Sequence, residues 1–305
     1  IALGYEQANY YGTSYGTTLG LALLRNHPQG VRSIILDSVQ PPQAATKSER
    51  APNAYRAFNK LFAACAADDT CRQKYPDLEA TFYRVIDDLN TNPATTTAPG
   101  WQVSYGGGVF SEAIYSMLVA GRAHAAPRAI YRAAAGDFAY IEPLIPDLLN
   151  AVSPSELDII SAGVFYSLAC REEVPFDSYE YAQALAADLP AAIADHYLSL
   201  FATWQFRLCE SWTIEPDDPV VNEPVSSDVP ALIFAGQFDP ITPPEWGMLA
   251  AETLSNSYFY EFPDLGHGVM DSDRCALRIG LQFLDEPTTE PDASCLDDRS
   301  GPYFE

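Results

Sequence analysis

Three short stretches hold residue types that together could carry out nucleophilic acyl transfer. The first is Tyr11-Gly12-Thr13-Ser14-Tyr15-Gly16-Thr17, in which Gly12-x-Ser14-x-Gly16 is the pattern of a serine on a tight strand-to-helix turn. Such a turn strains the serine backbone, and a Cβ at Gly12 or Gly16 is expected to clash where strand and helix converge. Ser14 then stands at a helix N-terminus, where free N–H groups and the dipole favour a developing oxyanion, with the Tyr15 N–H as one donor. A serine hydroxyl also needs a base, and the base needs an acid to orient it. Gly236-Gln237-Phe238-Asp239-Pro240-Ile241-Thr242-Pro243 offers Asp239 as that acid, and Asp264-Leu265-Gly266-His267-Gly268 offers His267 as the base. Asp37 is a second candidate for the acid, whereas Asp264 shares a turn with His267 and is too close to orient it. Of the four histidines, His27, His124 and His196 read as structural or surface residues.

These residues need elements to hold them, and the chain supplies strands ahead of each. Residues 8–11 read as a short strand, and Thr17 to Asn26 as a helix that ends at His27-Pro28. Val31 to Val39 is a β-branched, apolar run typical of a buried strand, closed by Pro41-Pro42. Strand, helix, strand in that order predicts a parallel sheet. Further strands are expected over Pro230–Gly236 and Ser257–Phe262, with a crossover helix over Pro244–Leu254 between them and a last helix over Arg274–Leu284. Ser14, Asp239 and His267 each fall at a strand's C-terminal end, where sites in such sheets lie.

Between these strands the pattern changes. Amphipathic stretches over Leu78–Leu89, Ser111–Ala120, Ala126–Ala135, Ser155–Ala169, Tyr179–Leu189 and Ala191–Phe206 follow one another with few strand signals. We therefore expect an α/β core over 1–42 and 229–305, interrupted by a helical cap over 43–228. The Pro-, Asp- and Ser-rich segment Pro216–Pro230 is the expected return linker.

Composition narrows the chemistry further. With 305 residues and 48% hydrophobic content the chain can bury a full core. A formal net charge of −24 argues against nucleic acid and anionic membrane as partners. No apolar run reaches membrane-spanning length. Six cysteines, an even number in an acidic chain, favour disulfides and an oxidising, secreted setting. Cys65 and Cys71 bracket Ala66 to Thr70, read as a small hairpin-like loop, but the pairing of all six stays open, since six cysteines allow about 15 connectivities. No C-x-x-C occurs and histidine is scarce, so no zinc site is expected, and acyl transfer by a serine calls for no cofactor.

The Gly12-Thr13-Ser14-Tyr15-Gly16-Thr17 run, Leu36-Asp37-Ser38-Val39-Gln40-Pro41-Pro42, Gly236 to Pro243 and Gly266-His267-Gly268 resemble the proline iminopeptidase and tripeptidyl aminopeptidase branch of the α/β hydrolases. The likeness is greatest to secreted bacterial members with a TAP-like C-terminal region. That resemblance implies disulfides Cys65–Cys71, Cys170–Cys209 and Cys275–Cys295. It implies an exo-aminopeptidase whose cap carboxylates hold the substrate's free amine, and Cys170-Arg171-Glu172-Glu173 resembles the cap segment that supplies them. Glu172 and Glu173 are the residues expected to bind that ammonium. The family's His-Gly-Gly-Pro oxyanion motif is absent, so the core is expected to lack its N-terminal strands and the second oxyanion donor. A carboxylic-ester hydrolase with the same triad, or a non-catalytic fragment of the fold, is the alternative reading. Substrate length preference and oligomeric state are not encoded in local pattern.

Overall fold

The computed structural model describes residues 4–98, 101–145, 148 and 161–304. It opens with β1 (Ala8–Thr13), α1 (Tyr15–Asn26) and β2 (Val31–Asp37). Helices α2 (Arg50–Ala67), α3 (Asp69–Lys74) and α4 (Leu78–Thr91) precede the strands β3 (Ala94–Ala98) and β4 (Trp101–Tyr105). Next come α5 (Gly107–Val119), α6 (Ala126–Ala134), α7 (Ala162–Leu168), α8 (Tyr179–Ala186), α9 (Ala191–Tyr197) and α10 (Trp204–Ser211). The chain closes with β5 (Ala231–Gly236), α11 (Pro244–Ala251), β6 (Ser257–Phe262) and α12 (Arg274–Asp285). It divides into two compact units, one of the residues up to Ala44 with Asp218–Pro302, the other of Ala45–Asp217 with the residues from Tyr303.

In the first unit the strands lie in the order β1-β2-β5-β6, and every pairing is parallel. Register explains why the central strands are apolar throughout. Ile34 pairs with Ala231, Leu36 with Ile233, and Ile233 in turn with Phe259. These residues share one face, where they pack with Leu21 and Leu24 of α1 and Ala250 of α11. The intervening residues Ile35, Leu232 and Phe234 point the other way, onto Ala276, Ile279 and Phe283 of α12. Period-two alternation on a sheet covered on both sides thus leaves no polar position in the middle of β5. Fully burying one such Ile or Phe side chain contributes about 1.5–3 kcal/mol. The return to this unit begins at Asp218, and Val225 and Val229 already pack against the first face.

The second unit is mostly helical around a cluster of rings, with Phe82 centred 5.0 Å from Phe58 and 5.7 Å from Phe110. Three features depart from the sequence expectation. The stretch after Asn92-Pro93 forms an antiparallel hairpin, β3 against β4, in which Thr95 opposes Ser104 and Thr96 opposes Val103. Three consecutive threonines are β-branched and suit a pleated edge, a signal outweighed in the sequence by the helices around it. The segment expected to run helically over Ala191–Phe206 is broken by π-helical turns over Leu198–Thr203. Cys65 and Cys71 bracket a helix junction rather than a hairpin-like loop, and the Asp68 side chain caps α3 by accepting the Cys71 N–H at 2.7 Å. The 155–160 part of the helix expected over Ser155–Ala169 lies outside the described residues. Disulfides join Cys65–Cys71, Cys170–Cys209 and Cys275–Cys295, the first two in the helical unit and the third in the sheet unit. Among the described residues no helix is long and apolar enough to cross a membrane.

Candidate active site

The turn at Ser14 is built by contact between backbones. A Cβ on Gly12 would lie 2.4 Å from the Gly16 carbonyl oxygen and 2.7 Å from a ring carbon of Tyr10, so only glycine fits there. Gly16 does not share that constraint, because a Cβ on it would meet only the Tyr10 hydroxyl at 3.9 Å. The tight side of the turn is the strand side. Tyr10 Oη donates to the Gly16 carbonyl at 2.7 Å and fixes the first turn of α1 over the strand. Ser14 takes φ 56° and ψ −125°, a positive-φ conformation rare for a residue with a side chain. Its N–H donates to the Asp37 carbonyl at 3.0 Å, and its hydroxyl makes no capping bond to α1. Tyr15 opens that helix, so its N–H belongs to the turn whose donors lack intrahelical acceptors.

Asp239 and His267 meet directly. His267 Nδ1 lies 2.7 Å from Asp239 Oδ2, and Asp239 is wholly buried. The two carboxylate oxygens divide their work. Oδ1 accepts the N–H groups of Ile241 at 2.8 Å and Thr242 at 3.0 Å, making the Asp-Pro turn. Oδ2 accepts the Thr242 hydroxyl at 2.7 Å and faces the imidazole. Burial pushes the Asp239 carboxyl up, but His267 and Thr242 together hold it below the usual carboxylate range. A carboxylate there fixes the proton on Nδ1 and leaves Nε2 as the basic nitrogen, the form a general base requires.

What brings these two loops together is a second close approach of backbones. A Cβ on Gly236 would lie 2.0 Å from the Gly266 carbonyl oxygen. Gly236→Ala should therefore separate the Asp239 turn from the His267 loop. We expect a stability loss of about 3 kcal/mol or more and a large fall in kcat, read by thermal melting and steady-state kinetics on the same preparation. A variant with unchanged melting and rate would mean that the loop accommodates the methyl group elsewhere.

The competing residues have other partners. Asp264 pairs with Arg299 at 2.7 Å. His196 stands 3.6 Å from Glu112 in the helical unit. Asp37 carries its carboxylate to the backbone of the His267 loop, accepting from Val269 N at 2.9 Å and Met270 N at 2.8 Å. Glu172 and Glu173 lie in a π-helical turn over Ala169–Glu173 of the helical unit. Glu173 Oε2 is 2.7 Å from Lys47 Nζ, and Arg171 pairs with Asp217 at 3.0 Å. Sequence reasoning passed over Thr242 and Lys47. For Thr242 a signal existed, a hydroxyl three residues after an Asp in a turn, where such side chains bond locally. For Lys47 none did. Among the described residues no group of three or more His, Cys, Asp or Glu is arranged to hold a metal ion.

Two family models match the chain. One, described as "alpha/beta hydrolase fold", covers residues 2–106, and the other, "TAP-like protein", covers residues 195–295. Serine protease Hip1 of Mycobacterium tuberculosis is 38% identical over 73 residues, 23% of this chain, and the matched stretch spans only 14% of that relative's length. The same protein of Mycobacterium bovis matches equally. Among solved structures, the α/β-hydrolase enzyme MGS-M2 from a Medee basin deep-sea metagenome library is similar at 15% identity and a TM-score of 0.38. That similarity covers 95% of this chain and 69% of that one. Serine hydrolase CCSP0084 from Cycloclasticus zankles is similar at 15% identity and a TM-score of 0.35, over 93% of this chain and 66% of that one.

Proposed function

For a chain that belongs to the α/β hydrolases and carries their TAP-like region, we propose the role of a serine peptidase that releases residues or short peptides from free N-termini. Ser14 Oγ attacks the scissile carbonyl, while His267 Nε2 takes the proton and returns it to the leaving amine. Asp239 holds the imidazole in the required tautomer and stabilises the imidazolium. The Tyr15 N–H stabilises the oxyanion, and the water that resolves the acyl-enzyme is activated by the same histidine. The observation that carries the reading is the 2.7 Å Asp239–His267 pair in the same sheet unit as a serine held at φ 56°. The name of the curated relative, a serine protease, agrees with peptide rather than ester substrates. Three disulfides and a strongly acidic composition support an extracellular setting.

The test is labelling by a fluorophosphonate followed by a panel of prolyl, alanyl and tripeptidyl anilides against nitrophenyl esters. Labelling at Ser14 with faster turnover of the anilides supports the reading. Absence of labelling in a chain that supplies both oxyanion donors removes the enzyme, and turnover of esters alone makes it an esterase.

The substrate's ammonium is assigned to Glu172 and Glu173, since a cation leaving water needs a fixed anion. Lys47 already engages Glu173, so an incoming amine must share that carboxylate or use its neighbour. Glu172→Ala or Glu173→Ala should raise KM for free-amine peptides about 10-fold, the worth of a charge-assisted hydrogen bond. Acetylated peptides and esters should be unaffected. Equal losses on all substrates would reduce the pair to a structural role.

A further inference from the structure

We infer that Asp37 and Ser38 form the positioning device of the site, tying the nucleophile's turn and the histidine's loop to one strand end. The inference rests on the Ser14–Asp239–His267 reading above and deepens it. Three consecutive amides follow His267, and all three are held by these two residues. Gly268 N–H donates to Ser38 Oγ at 2.9 Å, Val269 N–H to Asp37 Oδ1 at 2.9 Å, and Met270 N–H to Asp37 Oδ2 at 2.8 Å. On its other side Asp37 accepts the Ser14 N–H through its carbonyl at 3.0 Å. One residue therefore touches the backbone of both reacting loops.

The local chemistry is specific to this task. Asp37 is wholly buried, yet its charge is spread over directed donors, the two amides together with Tyr11 Oη at 3.2 Å and Ser38 Oγ at 3.3 Å. A buried carboxylate is tolerated only when its oxygens are satisfied in this way. Ser38 takes φ 57°, one of three described residues other than glycine with positive φ, and its N–H bonds the Phe234 carbonyl at 2.9 Å. Strain at a non-glycine residue persists where surrounding contacts over-determine it. Here the strained turn allows the side chain to reach the Gly268 amide. Asp37 is thus a positioning residue that acts through the placement of His267 relative to Ser14.

An amide at position 37 can accept only one of the two N–H bonds and turns a donor toward the other. Asp37→Asn should therefore let the loop shift and lower kcat by about 10–100-fold with KM nearly unchanged, as expected when a catalytic group is displaced by an ångström or less. The decisive measurement is a cycle with His267→Ala, using kcat on the full chain with its best anilide substrate. If Asp37 works through His267, the same Asp37→Asn change costs less than about twofold in the His267→Ala background, because coupled residues are non-additive. An equal fold-loss in both backgrounds overturns the inference, since a general loss of folded protein would act regardless of His267. Should Asp37→Asn fail to fold, Ser38→Ala, which removes only the Gly268 acceptor, is carried through the same cycle with the same criteria. If Ser14→Ala and His267→Ala both retain wild-type rates, the catalytic reading itself fails. If they are inactive while Asp37→Asn and Ser38→Ala turn over normally, only the positioning role does.

Discussion

Ser14→Ala is expected to lower kcat by about 10⁶-fold, with KM close to wild type and no loss of stability. The size follows from the loss of the covalent route, since the neighbouring hydroxyls are committed elsewhere, Thr13 Oγ1 to the Tyr11 hydroxyl at 2.9 Å and Thr17 Oγ1 to the Ser14 carbonyl. The unchanged stability follows from the geometry. Alanine keeps the Cβ at φ 56°, so the backbone strain is the same, and the hydroxyl was not capping α1. Ser14→Gly provides the control. It should be as inactive as alanine but more stable by about 1 kcal/mol, because glycine occupies that conformation without strain. Burst kinetics and thermal melting on the two variants check both halves. Residual activity within about tenfold of wild type would place the nucleophile elsewhere.

The next largest effect belongs to Asp239→Asn, expected at about 10⁴-fold in kcat. The direction comes from the two amides on Oδ1. Ile241 and Thr242 N–H groups require an acceptor there, so the amide carbonyl takes that side and the NH₂ group faces His267 Nδ1. The imidazole must then accept at Nδ1 and carry its proton on Nε2, which leaves no lone pair for the Ser14 hydroxyl. A loss below about tenfold would mean that another group orients the imidazole. The same substitution has a stability signature. The folded Asp239 carboxyl lies below its ordinary value, so its ionised form stabilises the fold. That contribution is present above the unfolded value near pH 4 and is lost as the pH falls through the depressed folded value. Denaturant titrations should show wild type ahead of Asp239→Asn at neutral pH, with the gap closing in acid.

The parts of this site that could be read from the chain are those written in local pattern. Apolar runs at β2 and β5 announce buried parallel strands, and a residue just past such a strand is a candidate by position alone. Asp37 was legible as a carboxylate at a strand end, but not in its role. Its partners Val269 and Met270 lie 232 and 233 positions away, and they are backbone amides, which leave no mark in a sequence. Glycine was legible in kind and not in cause. Gly16 reads as crowded but has space, whereas Gly20, one turn further along α1, would set a Cβ 2.8 Å from Ile34 and Tyr10. Gly236 reads as a strand end, yet it is the point where the strand carrying the Asp239 turn touches the His267 loop. The missing information is which other part of the chain arrives at the same place, side chains at Gly20 and backbone at Gly236. The Glu173–Lys47 pair was hidden for the same reason, since nothing around Lys47 marks it as a partner.

The sheet unit is discontinuous in the chain, and this sets when the proposed site can assemble. Ser14, on the turn between β1 and α1, is synthesised before Ala45–Asp217 of the helical unit, and Asp239 and His267 only after that stretch. On a ribosome that stretch, uninterrupted and rich in local contacts, can fold while β1 and β2 still wait for β5 to pair with β2. The Asp239–His267 pair forms once β5 pairs with β2 and β6 with β5, which also brings the His267 loop to Asp37. On the proposed reading, hydrolytic competence is therefore a late folding event, reached only once Asp239 and His267 have joined the serine turn.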